Sequence, residues 1–184
     1  FNRGIVYYYM AEYELAVADY TRVVEIDQSY VLAYHERGRA YEALDDYDLA
    51  AADYRKAIEL DSTFIYSYIG LGNIYIAREK YESAVEILTQ DIEVDPTFQA
   101  AWFNRAFVYY YLDEYKLSAA DYTRAIKLGR DDSAVYYGRG NCYYMLKRYP
   151  DALADYSQAI ERAPDYEHAY LFRGNTYYRM KDYQ

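Results

Sequence analysis

The sequence predicts an all-α chain, an α-α superhelix of antiparallel helix pairs stacked along one axis. Three observations predict it. The stretch from Trp102 to Leu128 recurs along the 184 residues in steps of 34, without insertion or deletion. In each step a large, a small and a large residue stand four and three apart, as at Trp102, Ala106 and Tyr109, which puts them on one helical face. After a short turn a second apolar stripe follows, at 115, 118, 122, 125 and 126. Neither helix can bury its stripe alone, but stacked pairs can, and such chains form solenoids.

Taken in order, the pattern predicts eleven helices, at 1–10, 13–27, 31–44, 47–61, 65–78, 81–94, 99–112, 115–128, 133–146, 149–162 and 167–181. They group into five to six repeats, 1–30, 31–64, 65–98, 99–132, 133–166 and a partial 167–184, forming a single array over residues 1–184. The first large position is Tyr34, Tyr68, Trp102, Tyr136 and Tyr170, and the small one is Gly4, Gly38, Gly72, Ala106, Gly140 and Gly174. Tyr7, Tyr41, Tyr75, Tyr109, Tyr143 and Tyr177 complete the first stripe. The second helix opens on Tyr13, Tyr47, Tyr81, Tyr115, Tyr149 and Tyr183. It carries Ala16, Ala50, Ala84, Ser118 and Ala152, then Tyr20, Tyr54, Leu88, Tyr122 and Tyr156. A small residue facing a tyrosine lets two ridged helices interlock. Pro150 falls in the first turn of a second helix, where its missing N–H costs nothing. Gly129 follows Leu128 and suits a left-handed helix end.

At these positions the chain resembles the tetratricopeptide repeat (TPR) family over its whole length. The family's closing proline is present as Pro96 and Pro164 but is Gln28, Ser62 and Arg130 elsewhere. Its usual leucine before the small residue is Leu71 once and otherwise Arg3, Arg37, Arg105, Arg139 and Arg173. The resemblance implies a TPR solenoid, with first helices lining the concave side and second helices the convex side. Because the first repeat lacks its opening residues and the last its second helix, a longer parent array is expected.

Twenty of the thirty tyrosines fill the packing columns above, so most of that abundance is assigned to the core. Tyr30, Phe64, Phe98 and Tyr166 close their repeats and are expected to wedge between neighbours. The net charge of −10 argues against nucleic acid and anionic membrane as partners, since both demand a basic footprint. No apolar run is long enough to span a bilayer. The lone Cys142 rules out an internal disulfide and suits a reducing, cytoplasmic setting.

Two ladders recur with the repeat. Arg3, Arg37, Arg105 and Arg139 each precede the small residue, and Asp19, Asp53, Asp121 and Asp155 each precede the second-helix tyrosine. In the third repeat both change together, to Leu71 and Ile87, as expected for positions that touch. A structural salt bridge within each repeat is the reading; an arginine ladder for anionic ligands is the alternative. Cys142 aligns with Val6, Ala40, Ile74, Val108 and Thr176, a packing position. His35 and His168 stand in distant repeats, so no metal site, cofactor or catalytic group is expected. The aspartates at 45, 46, 48, 131 and 132 read as turns or helix caps. Asp91 replaces Val23, Ala57, Ala125 and Ala159 and is expected to mark looser packing.

The functional expectation falls on first-helix positions that do not pack. The family holds peptides there, and here they include Asn73, Phe103, Asn104, Phe107, Tyr110, Tyr111, Tyr137, Asn141, Tyr144 and Asn175. The charges on that face, Glu36, Glu42, Arg39 and Arg179, cancel. Rings supply contact area and amides pair with a peptide backbone, so the surface suits an extended protein or peptide segment rather than a small-molecule substrate. Members that bind chaperone tails use lysine and arginine for a terminal carboxylate. Asn73 and Asn104 fit that pattern, but Ile69, Ala134 and Gly138 replace the cations, so this specialisation is rejected. The sequence therefore predicts a non-enzymatic interaction scaffold. The alternatives are a structural arm using its convex face or ends, and the recognition arm of an enzyme lying outside the fragment.

Overall fold

The computed structural model describes residues 1–181, all helix and short turns. Six helices form the first of two compact units, Phe1–Asp95. They are α1 (Asn2–Tyr9), α2 (Tyr13–Ile26), α3 (Val31–Ala43), α4 (Tyr47–Leu60), α5 (Ile65–Ala77) and α6 (Tyr81–Val94). The second unit begins at Pro96 and holds α7 (Gln99–Tyr111), α8 (Tyr115–Lys127), α9 (Ser133–Met145), α10 (Tyr149–Arg162) and α11 (Glu167–Lys181). Every boundary lies within one residue of the sequence expectation. Within each unit consecutive helices pack together, and the first helices of successive repeats also meet, α3 against α5, α7 against α9 and α9 against α11. This is the expected solenoid of helix pairs. Tyr183 falls outside the described residues.

The core is narrower than the tyrosine count suggests. Tyr20, Tyr54, Tyr122 and Tyr156 are buried; Tyr20, Tyr54 and Tyr156 press on Gly4, Gly38 and Gly140 of their own first helices, and Tyr122 shares a buried cluster with Ala106. A Cβ added to Gly38 would stand 3.0 Å from Tyr54 Cε1. The columns that begin at Tyr7 and Tyr13 are only half-buried as far as Tyr149, and Tyr177 is exposed; in the column that begins at Tyr34 only Tyr68 is buried. Their rings are partly covered while a hydroxyl can find a polar partner, as at Tyr47, which donates to Asp45 at 2.8 Å. Two of the closing rings wedge as expected, Phe64 at 5.1 Å from the His35 ring and Tyr166 at 5.0 Å from Tyr137, while Tyr30 is exposed.

The expected ladder is present. Arg37 donates from Nε and a terminal nitrogen to both oxygens of Asp53 at 2.7 and 2.8 Å. Arg3 meets Asp19 in the same way at 2.8 and 2.6 Å. Arg105 meets Asp121 at 2.7 and 3.1 Å, and Arg139 meets Asp155 at 2.8 and 2.7 Å. Burial pushes the Asp53 and Asp121 carboxyls up against the pull of their arginines, so these pairs carry a desolvation cost. Each fork spans the two helices of its repeat. Arg37 and Arg139 also donate to Thr21 and Thr123, on the second helix of the preceding repeat, both at 3.2 Å. In the third repeat Leu71 and Ile87 are both buried, so two apolar side chains stand where the other repeats have the ion pair.

The turns follow a rule the sequence does not advertise. Between the two helices of each repeat, one residue takes a left-handed backbone: Ala11, Asp45, Glu79, Asp113 and Lys147, with φ between 54° and 60°. None is glycine. Each turn is locked by the next residue's N–H, as when Asp46 donates to Tyr41 O at 2.9 Å. Gly129 ends α8 at φ 98°, Pro150 opens α10, and Asp132 caps α9 by accepting from Val135 N at 2.9 Å. Asp91 departs from expectation. Its packing is not loose: it is completely buried on α6, and neither carboxylate oxygen has a hydrogen-bond partner among the described residues.

Candidate functional site

In the second unit, α7 and α9 bring six of the expected residues to one cavity of about 370 Å³. Phe103, Phe107, Tyr110 and Tyr111 come from α7, and Tyr137 and Asn141 from α9. On α7 the spacings of three and four residues keep those rings on one side. The Tyr122 ring, from α8, supplies the floor. A Cβ at Gly138 would lie 2.6 Å from its Cζ, so only glycine lets α9 come this close.

The rings support one another. Phe107 and Tyr111 stand 4.8 Å apart between centroids, Tyr110 and Tyr111 5.9 Å, and Phe103 and Tyr122 5.5 Å. Arg130 sits over the Phe103 ring at 3.5 Å and pairs with Asp132 at 2.8 Å. Tyr111 is 52% exposed and Tyr122 is buried, while the other cavity rings are half-buried. Burial pushes the Tyr110 hydroxyl above its ordinary range, so it stays a neutral donor. Asn141 Oδ1 accepts from the Tyr156 hydroxyl at 2.9 Å, which fixes the amide. Among the described residues, none that lines the cavity is charged.

The other expected residues do not line this cavity. Tyr144 packs between Tyr149 and Phe172, with centroids at 5.8 and 6.3 Å. Asn104 is half-buried on α7, and Asn175 is exposed on α11. Sequence reasoning missed Phe172, Tyr166 and Tyr122, which close the walls. It placed Tyr122 in the core, and the structure shows that a core ring can also be a cavity floor.

Asn73 lines a separate cavity of about 460 Å³ in the first unit, between α3 and α5. The two cavities occupy corresponding repeat positions. His35, Arg39, Glu42, Tyr54, Gly70 and Asn73 stand two repeats before Phe103, Phe107, Tyr110, Tyr122, Gly138 and Asn141. Following that step in the sequence reveals both. His35 is buried, and its Nδ1 lies 3.1 Å from Ser67 Oγ. Burial, aided by Arg39, pushes its pKa down to about 4, so the ring is neutral at pH 7.

Cys142 is fully buried, with its thiol 3.2 Å from Gly138 O and 3.0 Å from Ser118 Oγ. Burial pushes its pKa up to about 11, the opposite of what a nucleophile needs. Among the described residues no group of three or more His, Cys, Asp or Glu is placed to hold a metal ion. Among the same residues no helix is long and apolar enough to cross a membrane.

Comparison with known proteins agrees with this architecture. No curated protein matches the sequence. Among solved structures, YrrB, described as a TPR protein with an unusual peptide-binding site, superposes with a TM-score of 0.78 at 23% identity, over 88% of this chain and 84% of its own. TTC0263, a thermophilic TPR protein of Thermus thermophilus, gives 0.69 at 21% identity over 95% of each chain. The first TPR of Spaghetti (RPAP3), bound to an HSP90 peptide, gives 0.63 at 25% identity over 66% of this chain and 96% of its own. Two family models, both described as tetratricopeptide repeat, match residues 31–64 and 133–166, and 1–30, 65–98 and 99–132. With the repeat matched in register from residue 1 to residue 166, the chain belongs to the tetratricopeptide repeat family.

Proposed function

We propose that this chain is a non-enzymatic scaffold that holds an extended segment of a partner protein against its first helices, in the aromatic cavity of the second unit. One observation carries the reading. Five rings and one amide, set on two neighbouring first helices, converge on a cavity without a charged lining residue among those described. Such a surface gains free energy by covering rings and orients a peptide backbone through a few fixed polar groups. Asn141 and the Tyr110 hydroxyl are those groups here. Tyr144 packs on the lining ring Phe172, and Asn73 belongs to the corresponding position of the first unit.

YrrB and the Spaghetti domain are described by their peptide sites, which supports a peptide as the ligand class. The chain lacks lysine or arginine at the carboxylate-clamp positions Ile69, Ala134 and Gly138, so an internal segment suits the surface better than an acidic tail. The test is selection of binders from a random peptide display library, followed by affinity measurement with Phe107→Ala and Tyr111→Ala. Each truncation is expected to cost about 2 kcal/mol, with weak dependence on salt because the cavity is uncharged. Selected peptides that bind both variants as tightly as the parent would refute the assignment.

A further inference from the structure

The first-unit cavity has the same frame as the aromatic one but different chemistry. Where the second unit has Phe107 and Tyr110, the first has Arg39 and Glu42, and Glu36 joins them one turn earlier on α3. Arg39 is already engaged. It donates to Glu36 at 2.9 Å, and its guanidinium lies over the Tyr8 ring at 4.5 Å. Glu42 accepts from the Tyr54 hydroxyl at 2.7 Å and makes no ion pair among the described residues. Tyr54 is held by its close contact with α5, where a Cβ at Gly70 would come within 2.5 Å of its Cζ. The Glu42 carboxylate is therefore aimed by a buried tyrosine.

The same cavity has an aromatic lining as well. Phe64 and Tyr66 stand 5.6 Å apart edge to face, and Tyr66 is 57% exposed. The neutral His35 ring beneath them adds no positive charge. A ring and a carboxylate together are the arrangement in which this chain seats its own arginines. Arg162 lies over Tyr136 at 4.1 Å while bonded to Asp131 at 2.6 Å. Arg148 lies over Tyr143 at 4.4 Å while bonded to Asp151 at 2.8 Å.

We propose that the cavity between α3 and α5 is a recognition site for an arginine side chain of a partner segment. The guanidinium stacks on Tyr66, donates to Glu42, and leaves the peptide backbone facing Asn73. A planar guanidinium satisfies ring and carboxylate at once, which an ammonium does less well. The net charge of −10 favours the approach of a basic segment. This inference rests on the reading that first-helix faces of this chain bind protein segments. It adds a second site with a distinct residue preference.

The test uses N-acetyl-argininamide as the probe and its citrulline counterpart as the neutral isostere, titrated into the full chain and followed by backbone amide shifts. The arginine probe is expected to shift the amides of Tyr66, Ile69 and Asn73, and the citrulline probe to leave them in place. Glu42→Gln keeps an oxygen for the Tyr54 hydroxyl but removes the charge, and should weaken the arginine probe about fivefold or more. Tyr66→Ala, at an exposed position, should weaken it without disturbing the fold. Equal binding of both probes, or undiminished binding to both variants, would overturn the proposal. Failure of peptide binding at Phe107 and Tyr111 would refute only the aromatic cavity, so the two outcomes are separable.

Discussion

Replacing Asp91 by asparagine should change how stability depends on pH. Asp91 is wholly buried on α6, and both oxygens lack hydrogen-bond partners among the described residues. Burial pushes its pKa from 3.8 up to about 7, and the Asp95 carboxylate adds to the rise. Tyr68, on α5, is the other titratable group that senses it, and its hydroxyl donates instead to Ser62 O at 3.1 Å. The folded chain therefore holds the Asp91 proton below about pH 7, whereas the unfolded chain binds it only near pH 4. Protonation favours the folded state in between, and that stabilisation is lost as pH rises through the folded value. At about 1.4 kcal/mol for each unit, the full shift is worth roughly 4 kcal/mol, and the part falling between pH 5 and pH 8 roughly 2–3 kcal/mol. The amide introduced by Asp91→Asn does not titrate. The variant's stability relative to the parent should rise by that amount from pH 5 to pH 8, whatever offset the amide itself introduces.

The assay is urea unfolding of parent and variant at both pH values, with hydrogen exchange in α5 and α6 to localise the effect, since repeat arrays open in parts. Asp91→Ala should follow the same trend, because Ala57, Ala125 and Ala159 occupy the equivalent buried site. Parallel pH profiles for parent and both variants would refute the reasoning.

Three further outcomes are expected. Arg105→Leu or Asp121→Ile alone should cost about 3–5 kcal/mol by stranding a buried charge, while the double change, which copies Leu71 and Ile87, should be near neutral in chemical denaturation. Lys147→Gly should raise stability by about 0.5–1 kcal/mol, since Lys147 holds a left-handed backbone at φ 60° that glycine adopts without strain. Cys142 should resist a thiol reagent in the native state at pH 8 and react at the free-thiol rate after unfolding; rapid native labelling would contradict its burial.

How legible each feature was depends on whether the repeat constrains it. Helix ends and the Arg–Asp forks recur in register, so comparing repeats replaced any need for geometry. The joint change to Leu71 and Ile87 announced that the two positions are coupled, and the forks in the other repeats show the contact. Asp91 occurs once, so nothing in the pattern distinguished loose packing from a buried, unpartnered carboxylate. The left-handed turn residues Ala11, Asp45, Glu79, Asp113 and Lys147 share no side-chain chemistry, and their conformation is imposed by the helices on either side. In the cavities, Phe103 and Tyr137 were legible as first-helix rings. Phe172 was not, because its approach depends on how α11 settles against α9. Glu36, Arg39 and Glu42 appeared only as charges that cancel, and it took the structure to show that Arg39 is committed to Glu36 and Tyr8.

The most direct test of the central claim is site-specific photocrosslinking with a selected peptide, using a photoreactive phenylalanine analogue placed in turn at position 111 and at position 117. Tyr111 stands at the rim of the aromatic cavity on α7, and Leu117 is an exposed second-helix residue, 48% accessible, on α8. Capture from position 111, and none from position 117, is the predicted result. Capture from position 117 alone would place the partner on the second-helix face and contradict the account.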